Sequence, residues 1–402
     1  MAKGVLPVNL LKKILIPIMA VFMVFQTPLS VCADEIKAPD VKALGAVLID
    51  AESGRVLWEK NANEPLANAS TTKIMTCALA LESGMLDDKV TVSANASSQP
   101  KVRMGLSSGE EIKLKDLLYA LMLQSSNDAA VAVAEHIGGS VEAFCEMMNK
   151  KSAELGAANT NFETPNGLDG ENHYSTAYDM ALITRYALGV EGFRDIIGTK
   201  QISVQSNRCT YTIVNKNRLL SEYEGAIGVK TGFTGKAGNC FVGAAERDGM
   251  TLISVVLGSG WGSVGKNRKW IDTKNILNYG FQNYMYYDVC IQGDYVDTIP
   301  VKNSYGGSIR VCIADNISLP LRQSEREALY AEVKLPDKVE APVKEGDEVG
   351  RILFKIDSDT VIAQSPLISC SAVNRKDVKT TAKMLIKYWI NPMKSGILKN
   401  NG

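Results

Sequence analysis

Apolar and polar positions alternate in several distinct ways along the 402 residues. Residues 43–50 and 55–60 read as two strands around the turn Glu52-Ser53-Gly54. Residues 74–81 carry an apolar helical pattern that stops at Ser83-Gly84. An amphipathic helix is predicted over 115–124, with a second apolar run over 129–134. Residues 226–229 read as a strand, and 240–246 and 251–258 as two more, joined by the turn Arg247-Asp248-Gly249.

From Cys290 the period shortens. Alternating runs at 296–300, 308–313, 317–320, 331–334, 351–356 and 360–365 are separated by turns such as Tyr305-Gly306-Gly307 and Lys344-Glu345-Gly346-Asp347. These predict a small β-rich sandwich or barrel. Over 377–390 the pattern is helical again. Val378, Ala382, Leu385 and Trp389 share one face, Lys379, Lys383 and Lys387 line another, and Pro392 follows. Four segments result: 1–33, a catalytic-domain candidate over 34–285, a β-rich domain over 286–373, and a tail over 374–402.

The first segment reads as an export signal. Lys12-Lys13 precedes an apolar run over 14–25, and Val31-Cys32-Ala33 offers a cleavage site before Asp34-Glu35. The run falls short of the ~20 residues that span a bilayer. The expected location is therefore outside the cytoplasm, at the outer face of the membrane or in the cell wall.

Composition adds charge asymmetry. Hydrophobic residues make up 46% and charged residues 22%, as in an ordered globular protein. Basic and acidic groups balance at 44 each, but not evenly. Residues 34–373 carry 34 basic and 43 acidic groups, whereas 374–402 carry seven basic groups against Asp377 alone. An acidic body makes nucleic acid an unsuitable partner. A basic amphipathic tail fits an anionic membrane surface.

The candidate chemistry is narrowed by what is scarce. Seven cysteines follow Ala33, namely Cys77, Cys145, Cys209, Cys240, Cys290, Cys312 and Cys370. None forms a C-x-x-C pair, so no metal site is indicated, and their spacing pairs none of them. The two histidines are His136, in a helical stretch, and His173, in a polar loop. No H-E-x-x-H or G-x-S-x-G is present, so a serine enzyme here would use a base other than histidine.

Lysine is the candidate for that base. Ala69-Ser70-Thr71-Thr72-Lys73 contains S-x-x-K at a predicted helix start. Residues three apart share a helix face, so the Lys73 amine reaches the Ser70 hydroxyl. Burial and neighbouring cations lower a lysine pKa and free the lone pair to take a proton. Ser125-Ser126-Asn127 stands between two helices, and Lys230-Thr231-Gly232 continues a strand. Each motif alone is weak. Their order and structural context together are specific to the penicilloyl-serine enzymes.

With these motifs, and with matches around Leu118–Ala129, Thr164-Pro165-Asn166-Gly167-Leu168 and Gly228–Thr234, the chain resembles the low-molecular-weight penicillin-binding proteins, the serine D-alanyl-D-alanine carboxypeptidases. The resemblance is close over about residues 36–285 and looser beyond. It implies an α+β, β-lactamase/transpeptidase-like domain: an antiparallel sheet flanked by helices, with the site between sheet and helical lobe. It implies Ser70 as nucleophile, Lys73 as base, Ser125 and Asn127 as relay and substrate-amide groups, and Lys230 as the polarising cation. Thr231 would contact the substrate carboxylate, Gly232 would let substrate backbone approach, and the N–H groups of Ser70 and Phe233 would form the oxyanion hole. A second carboxylate contact falls on Arg268 or Lys269, which compete equally. The substrate implied is a peptidoglycan stem peptide, with β-lactam antibiotics as covalent inhibitors and no metal or cofactor. The Glu-x-x-Leu-Asn element of the related β-lactamases has no match in Glu163-Thr164-Pro165-Asn166-Gly167. A muropeptide endopeptidase is the nearer alternative, and a non-catalytic scaffold is disfavoured by the complete motif set.

Overall fold

The computed structural model describes residues 37–390, so the export segment and the end of the tail lie outside the described residues. The chain forms two compact units, one ending at Tyr284 and one beginning at Met285.

The first unit opens with the hairpin β1 (Gly45–Asp50) and β2 (Val56–Lys60). A helical lobe follows: α1 (Lys73–Glu82), β3 (Lys89–Thr91), α2 (Ala94–Ser97), β4 (Glu111–Lys113), α3 (Leu114–Tyr119), α4 (Asn127–Gly138), α5 (Val141–Glu154), α6 (Ala177–Gly189) and α7 (Phe193–Gly198). The hairpin β5 (Gln201–Gln205) and β6 (Thr210–Val214) and the short α8 (Leu219–Glu222) lead to β7 (Ala226–Thr234), β8 (Gly238–Arg247), β9 (Met250–Leu257) and α9 (Gly262–Asn283).

These strands build an antiparallel sheet in the order β2-β1-β9-β8-β7. Every residue of β1 is buried, which suits a central strand covered on both faces. On β9, Ile253, Val255 and Leu257 face the core shared with the helical lobe. The opposite face packs α9, with the Phe241 and Trp270 rings 4.5 Å apart. Residues 129–134 of α4 are buried all round, so that helix lies inside the lobe rather than on its surface. The β8–β9 turn has left-handed Asp248 (φ 50°) and Gly249 (φ 78°), the geometry that an Asp-Gly hairpin favours. Strand β7 lies at the sheet edge.

Two local departures from the pattern shape the site. The helix predicted over 115–124 ends as α3 at Tyr119 and continues as one π turn, Ala120–Gln124. The wider turn delivers Ser125 in a left-handed conformation, φ 67° and ψ 35°. Likewise α1 starts only at Lys73, and Ser70 stands in the preceding 3-10 turn, Ala69–Thr72.

The second unit contains β10 (Met285–Cys290), β11 (Tyr295–Lys302), β12 (Ser308–Ile313), β13 (Ile317–Leu321), α10 (Gln323–Ala328), β14 (Tyr330–Lys334), β15 (Val339–Glu340), β16 (Glu348–Lys355) and β17 (Val361–Ser369). A six-stranded sheet, β14-β16-β17-β12-β11-β15, accompanies the pair β10–β13. Ile309, Val311, Ile352, Phe354 and Leu367 form part of a core separate from that of the first unit. Cys312 and Cys370 form a disulfide that the spacing did not reveal.

Helix α11 (Val378–Ile390) follows. Its first turn is held by the Tyr305 hydroxyl, which donates to the Asp377 carbonyl at 2.7 Å, and by Lys376 N–H, which donates to Asn303 O at 2.8 Å. Beyond that clasp Val378, Leu385 and Ile386 are exposed. Among the described residues no helix is long and apolar enough to cross a membrane.

Candidate active site

The residue before the nucleophile candidate, Ala69, has φ +50°, a conformation that costs a non-glycine residue about 1–2 kcal/mol. The turn it starts places Ser70 Oγ 3.0 Å from Lys73 Nζ. Lys73 is fully buried, and its amine has two further neighbours: Asn127 Oδ1 at 2.9 Å and the Asn166 carbonyl at 2.6 Å. Both amide oxygens are acceptors only. A neutral Lys73 therefore gives them its two N–H groups, and its lone pair is left for the Ser70 hydroxyl. Burial lowers the Lys73 pKa well below the lysine value, and the charge of Lys230 lowers it further, while Asp128 opposes the shift. Geometry and electrostatics both favour the base form.

Asn127 is held from behind. Its N–H donates to Val102 O at 2.8 Å and its Nδ2 to Pro100 O at 3.1 Å, which leaves Oδ1 aimed at Lys73. The next residue, Asp128, is buried and accepts from the N–H groups of Met104, Gly105 and Leu106 at 2.8–3.1 Å. It thereby pins the 98–106 loop beside Asn127. Ser126 occupies the α4 N-cap position, but its hydroxyl makes no capping bond.

The segment 163–173 passes under the nucleophile as a strap. Besides the Asn166 carbonyl, it offers Pro165 O to Thr76 Oγ1 at 2.7 Å. Asp169 accepts from Thr234 Oγ1 at 2.7 Å, and Gly170 O accepts from Lys236 Nζ at 3.2 Å, tying the strap to the end of β7 and the turn beyond it. Gly167, at φ +78°, lies so close that a Cβ would fall 2.0 Å from Ala69 O. Only glycine fits there.

Strand β7 supplies the other wall. A Cβ on Gly232 would lie 3.1 Å from both Ser70 N and Ala69 Cβ, so the edge strand runs directly against the serine turn. Lys230, two residues earlier, is buried and donates to Thr231 O at 2.9 Å. Burial, with Lys269 and Lys216 nearby, brings its pKa down to about 7. Thr231 is partly buried, and the Phe233 side chain is exposed.

The two competing cations separate cleanly. Arg268 donates to buried Asp272 at 2.6 Å and to Asp40 at 3.2 Å, an ion-pair network beneath α9. Lys269 instead reaches Asn239 Oδ1 at 3.4 Å. Asn239 lies across from Phe233 in the β7–β8 register. Lys269 also acts on the Lys230 charge.

The structure thus joins Ser70, Lys73 and Asn127 directly, lines up Lys230, Thr231, Gly232 and Phe233 on one edge, and directs Arg268 elsewhere. Three contributors escaped the sequence reading: the Asn166 carbonyl, Asp128 and His173. The first acts through main chain, so no side-chain type announces it. Asp128 follows Asn127 directly, and an acid in the first turn of an otherwise apolar helix was its available signal. His173 was read as part of a polar loop but is buried under the turn, whereas His136 pairs with Asp88 at 3.2 Å near the surface. Among the described residues no group of three or more His, Cys, Asp or Glu is gathered to hold a metal.

An antiparallel sheet with a helical lobe, a serine and a buried lysine one turn apart, and an edge-strand K-T-G define a serine hydrolase of the penicillin-binding class. Residues 33–260 match the family model described as D-alanyl-D-alanine carboxypeptidase, and 284–375 match that of the penicillin-binding protein 5 C-terminal domain. The chain belongs to this carboxypeptidase family. It is 37% identical over 355 residues to D-alanyl-D-alanine carboxypeptidase DacF of Bacillus subtilis, covering 87% of this chain and 90% of that one. It is 33% identical to DacC of Escherichia coli, covering 86% and 88%. Among solved structures, penicillin-binding protein 5 from Haemophilus influenzae superposes with TM-score 0.73 at 30% identity, covering 84% and 99%.

Proposed function

We propose that this enzyme is an exported carboxypeptidase that removes the terminal D-alanine from peptidoglycan stem peptides through an acyl-enzyme on Ser70. The observation that carries the reading is the arrangement around Lys73 Nζ, where two obligate acceptors orient the amine and leave its lone pair to Ser70. Lys73 takes the hydroxyl proton as Oγ bonds the carbonyl carbon of the penultimate D-alanine. The N–H groups of Ser70 and Phe233 receive the oxyanion. As the C–N bond breaks, the proton passes through Ser125 and the Lys73–Lys230 network to the departing amine, and D-alanine leaves. Water then cleaves the ester, releases the shortened peptide and returns the proton to Ser70. Nothing in this sequence of bonds calls for a metal or cofactor.

The substrate lies along edge strand β7 as an added strand, and Gly232 lets that edge stand close against the Ser70 turn. Thr231 and Lys269 hold its terminal carboxylate, and Arg268 serves the fold. A β-lactam enters the same attack but its amine stays tethered. At Ser70 the strap presents the Asn166 carbonyl rather than a carboxylate, so deacylation of the penicilloyl-enzyme is expected to be slow. In this reading residues 1–33 are the export signal, 34–285 the catalytic domain and 286–373 a β-rich spacer. The tail from 374 lays α11 on the membrane surface with the exposed Val378 and Leu385 inward.

A fluorescent penicillin is expected to label the protein at Ser70, and mass spectrometry of digested stem pentapeptide is expected to show loss of one D-alanine. Full labelling of Ser70→Ala would remove Ser70 as nucleophile. Products cut at a cross-link alone would make the enzyme an endopeptidase.

A further inference from the structure

The serine turn is strained at Ala69 and has to be held from outside. Its carbonyl accepts from Thr72 Oγ1 at 2.9 Å. The same Thr72 oxygen receives Asn68 Nδ2–H at 3.0 Å and lies 2.8 Å from His173 Nε2. On the far side of the imidazole, Glu163 N–H donates to Nδ1 at 3.1 Å. That backbone donor fixes every other proton. Nδ1 must be the acceptor, so the ring proton sits on Nε2 and points at Thr72. Thr72 then receives two hydrogen bonds and can give only one, to Ala69 O. His173 is 3% exposed and the Phe162 ring packs on it at 5.7 Å, so the imidazole has no freedom to turn away. Burial also keeps it neutral, with a pKa of about 4.

We propose that His173 is a positioning residue for the acylation step. Through Thr72 it locks the carbonyl of Ala69 and so fixes Ser70 against Lys73 and the edge of β7. It touches no substrate. It couples the strap, which carries the Asn166 carbonyl, to the turn that carries the nucleophile, so the three hydrogen-bond partners of Lys73 stay in register. The inference rests on the reading of Ser70 as nucleophile. A displacement of about 1 Å at a nucleophile costs on the order of 100-fold in rate while leaving ligand affinity nearly intact.

The test uses the full mature chain and a fluorescent penicillin in single-turnover reactions, resolved into a non-covalent dissociation constant and a limiting acylation rate. His173→Ala is expected to lower the acylation rate about 10- to 100-fold with the dissociation constant changed less than about twofold. His173→Gln should recover most of that loss, because its Nε2–H can donate to Thr72 while its Oε1 accepts from Glu163 N–H. Thr72→Val should slow acylation similarly, and the His173→Ala/Thr72→Val double variant should be no slower than either alone. A merely misfolded fraction lowers the labelled stoichiometry but not the rate of the remainder. Unchanged acylation in His173→Ala, or equal rate loss in the Ala and Gln variants, would overturn the proposal while Ser70 remains the labelled residue. Wild-type labelling at another residue would overturn the parent reading and this one together.

Discussion

Replacing Lys230 with methionine should make the protein more stable and inactive at once. The Lys230 amine is buried with a pKa of about 7 against 10.5 for an ordinary lysine. At about 1.4 kcal/mol per tenfold change, holding it charged in the fold costs on the order of 4–5 kcal/mol. Methionine keeps the apolar stem and removes the amine. It also removes the hydrogen bond to Thr231 O, which gives back about 1–2 kcal/mol. A net gain of about 3 kcal/mol is expected below pH 7. The sign follows from proton counting. Between about 7 and 10.5 the unfolded wild type binds a proton that the folded state has released, so wild-type stability rises with pH across that window. The variant has no such slope from this site. The gap should therefore be full below pH 7 and close toward pH 10.5. Urea unfolding followed by tryptophan fluorescence reads it, since Trp58, Trp261 and Trp270 lie in the first unit. With a urea slope of about 2–3 kcal/mol per molar, the midpoint should rise by about 1 M at pH 6. A variant no more stable at pH 6, or a gap that is constant up to pH 9.5, would refute the electrostatic account of this lysine.

Other outcomes follow from the same geometry. Lys73→Ala should slow penicillin acylation by about 10²–10⁴ or more, and Lys73→Arg should not restore it, because a guanidinium stays protonated near neutrality; stopped-flow labelling decides. Lys269→Ala should lower kcat/KM for a free-carboxylate peptide far more than for its amide. Arg268→Ala should leave that ratio alone but cost about 3 kcal/mol in urea unfolding, by stripping the charge partner from buried Asp272. Removing residues from Asp377 onward should abolish co-sedimentation with anionic vesicles, strongest at low salt in the full chain, while soluble-peptide turnover persists. Loss of turnover and melting temperature together would instead make α11 part of the fold.

The elements legible in the sequence were those whose neighbours demand one strong period. β1, β8 and β9 are apolar because both faces are covered, and the runs of the second unit alternate because one face is solvated. The β3–β4 pair has only three residues a strand, too few to show a period, whereas β5–β6 alternates over Gln201–Gln205 and was not picked out by the sequence reading. The three motifs could be read because each sits in or directly against one regular element. Their supports could not, because the Asn166 carbonyl, the π turn before Ser125 and the buried His173 depend on tertiary packing. The choice between Arg268 and Lys269 illustrates this limit. Adjacent residues on a helix point about 100° apart, and only the positions of Asp272 and Asn239 separate the two side chains.

The disulfide has a consequence for the order in which the molecule is completed. Cys312 and Cys370 are 58 residues apart, and both belong to the second unit. A ring of that size removes chain entropy from the unfolded state worth about 4 kcal/mol in the loop-closure estimate, and all of it accrues to the second unit. Both cysteines come after the first unit, which ends at Tyr284, so that unit is made before either sulfur of the ring. The first unit contains no disulfide among its described residues, and burial raises the pKa of its Cys77 thiol and holds Cys145 and Cys240 near 11. The catalytic half can therefore fold before any oxidation occurs. A reducing environment would spare the site and loosen only the small domain and the clasp from which α11 departs.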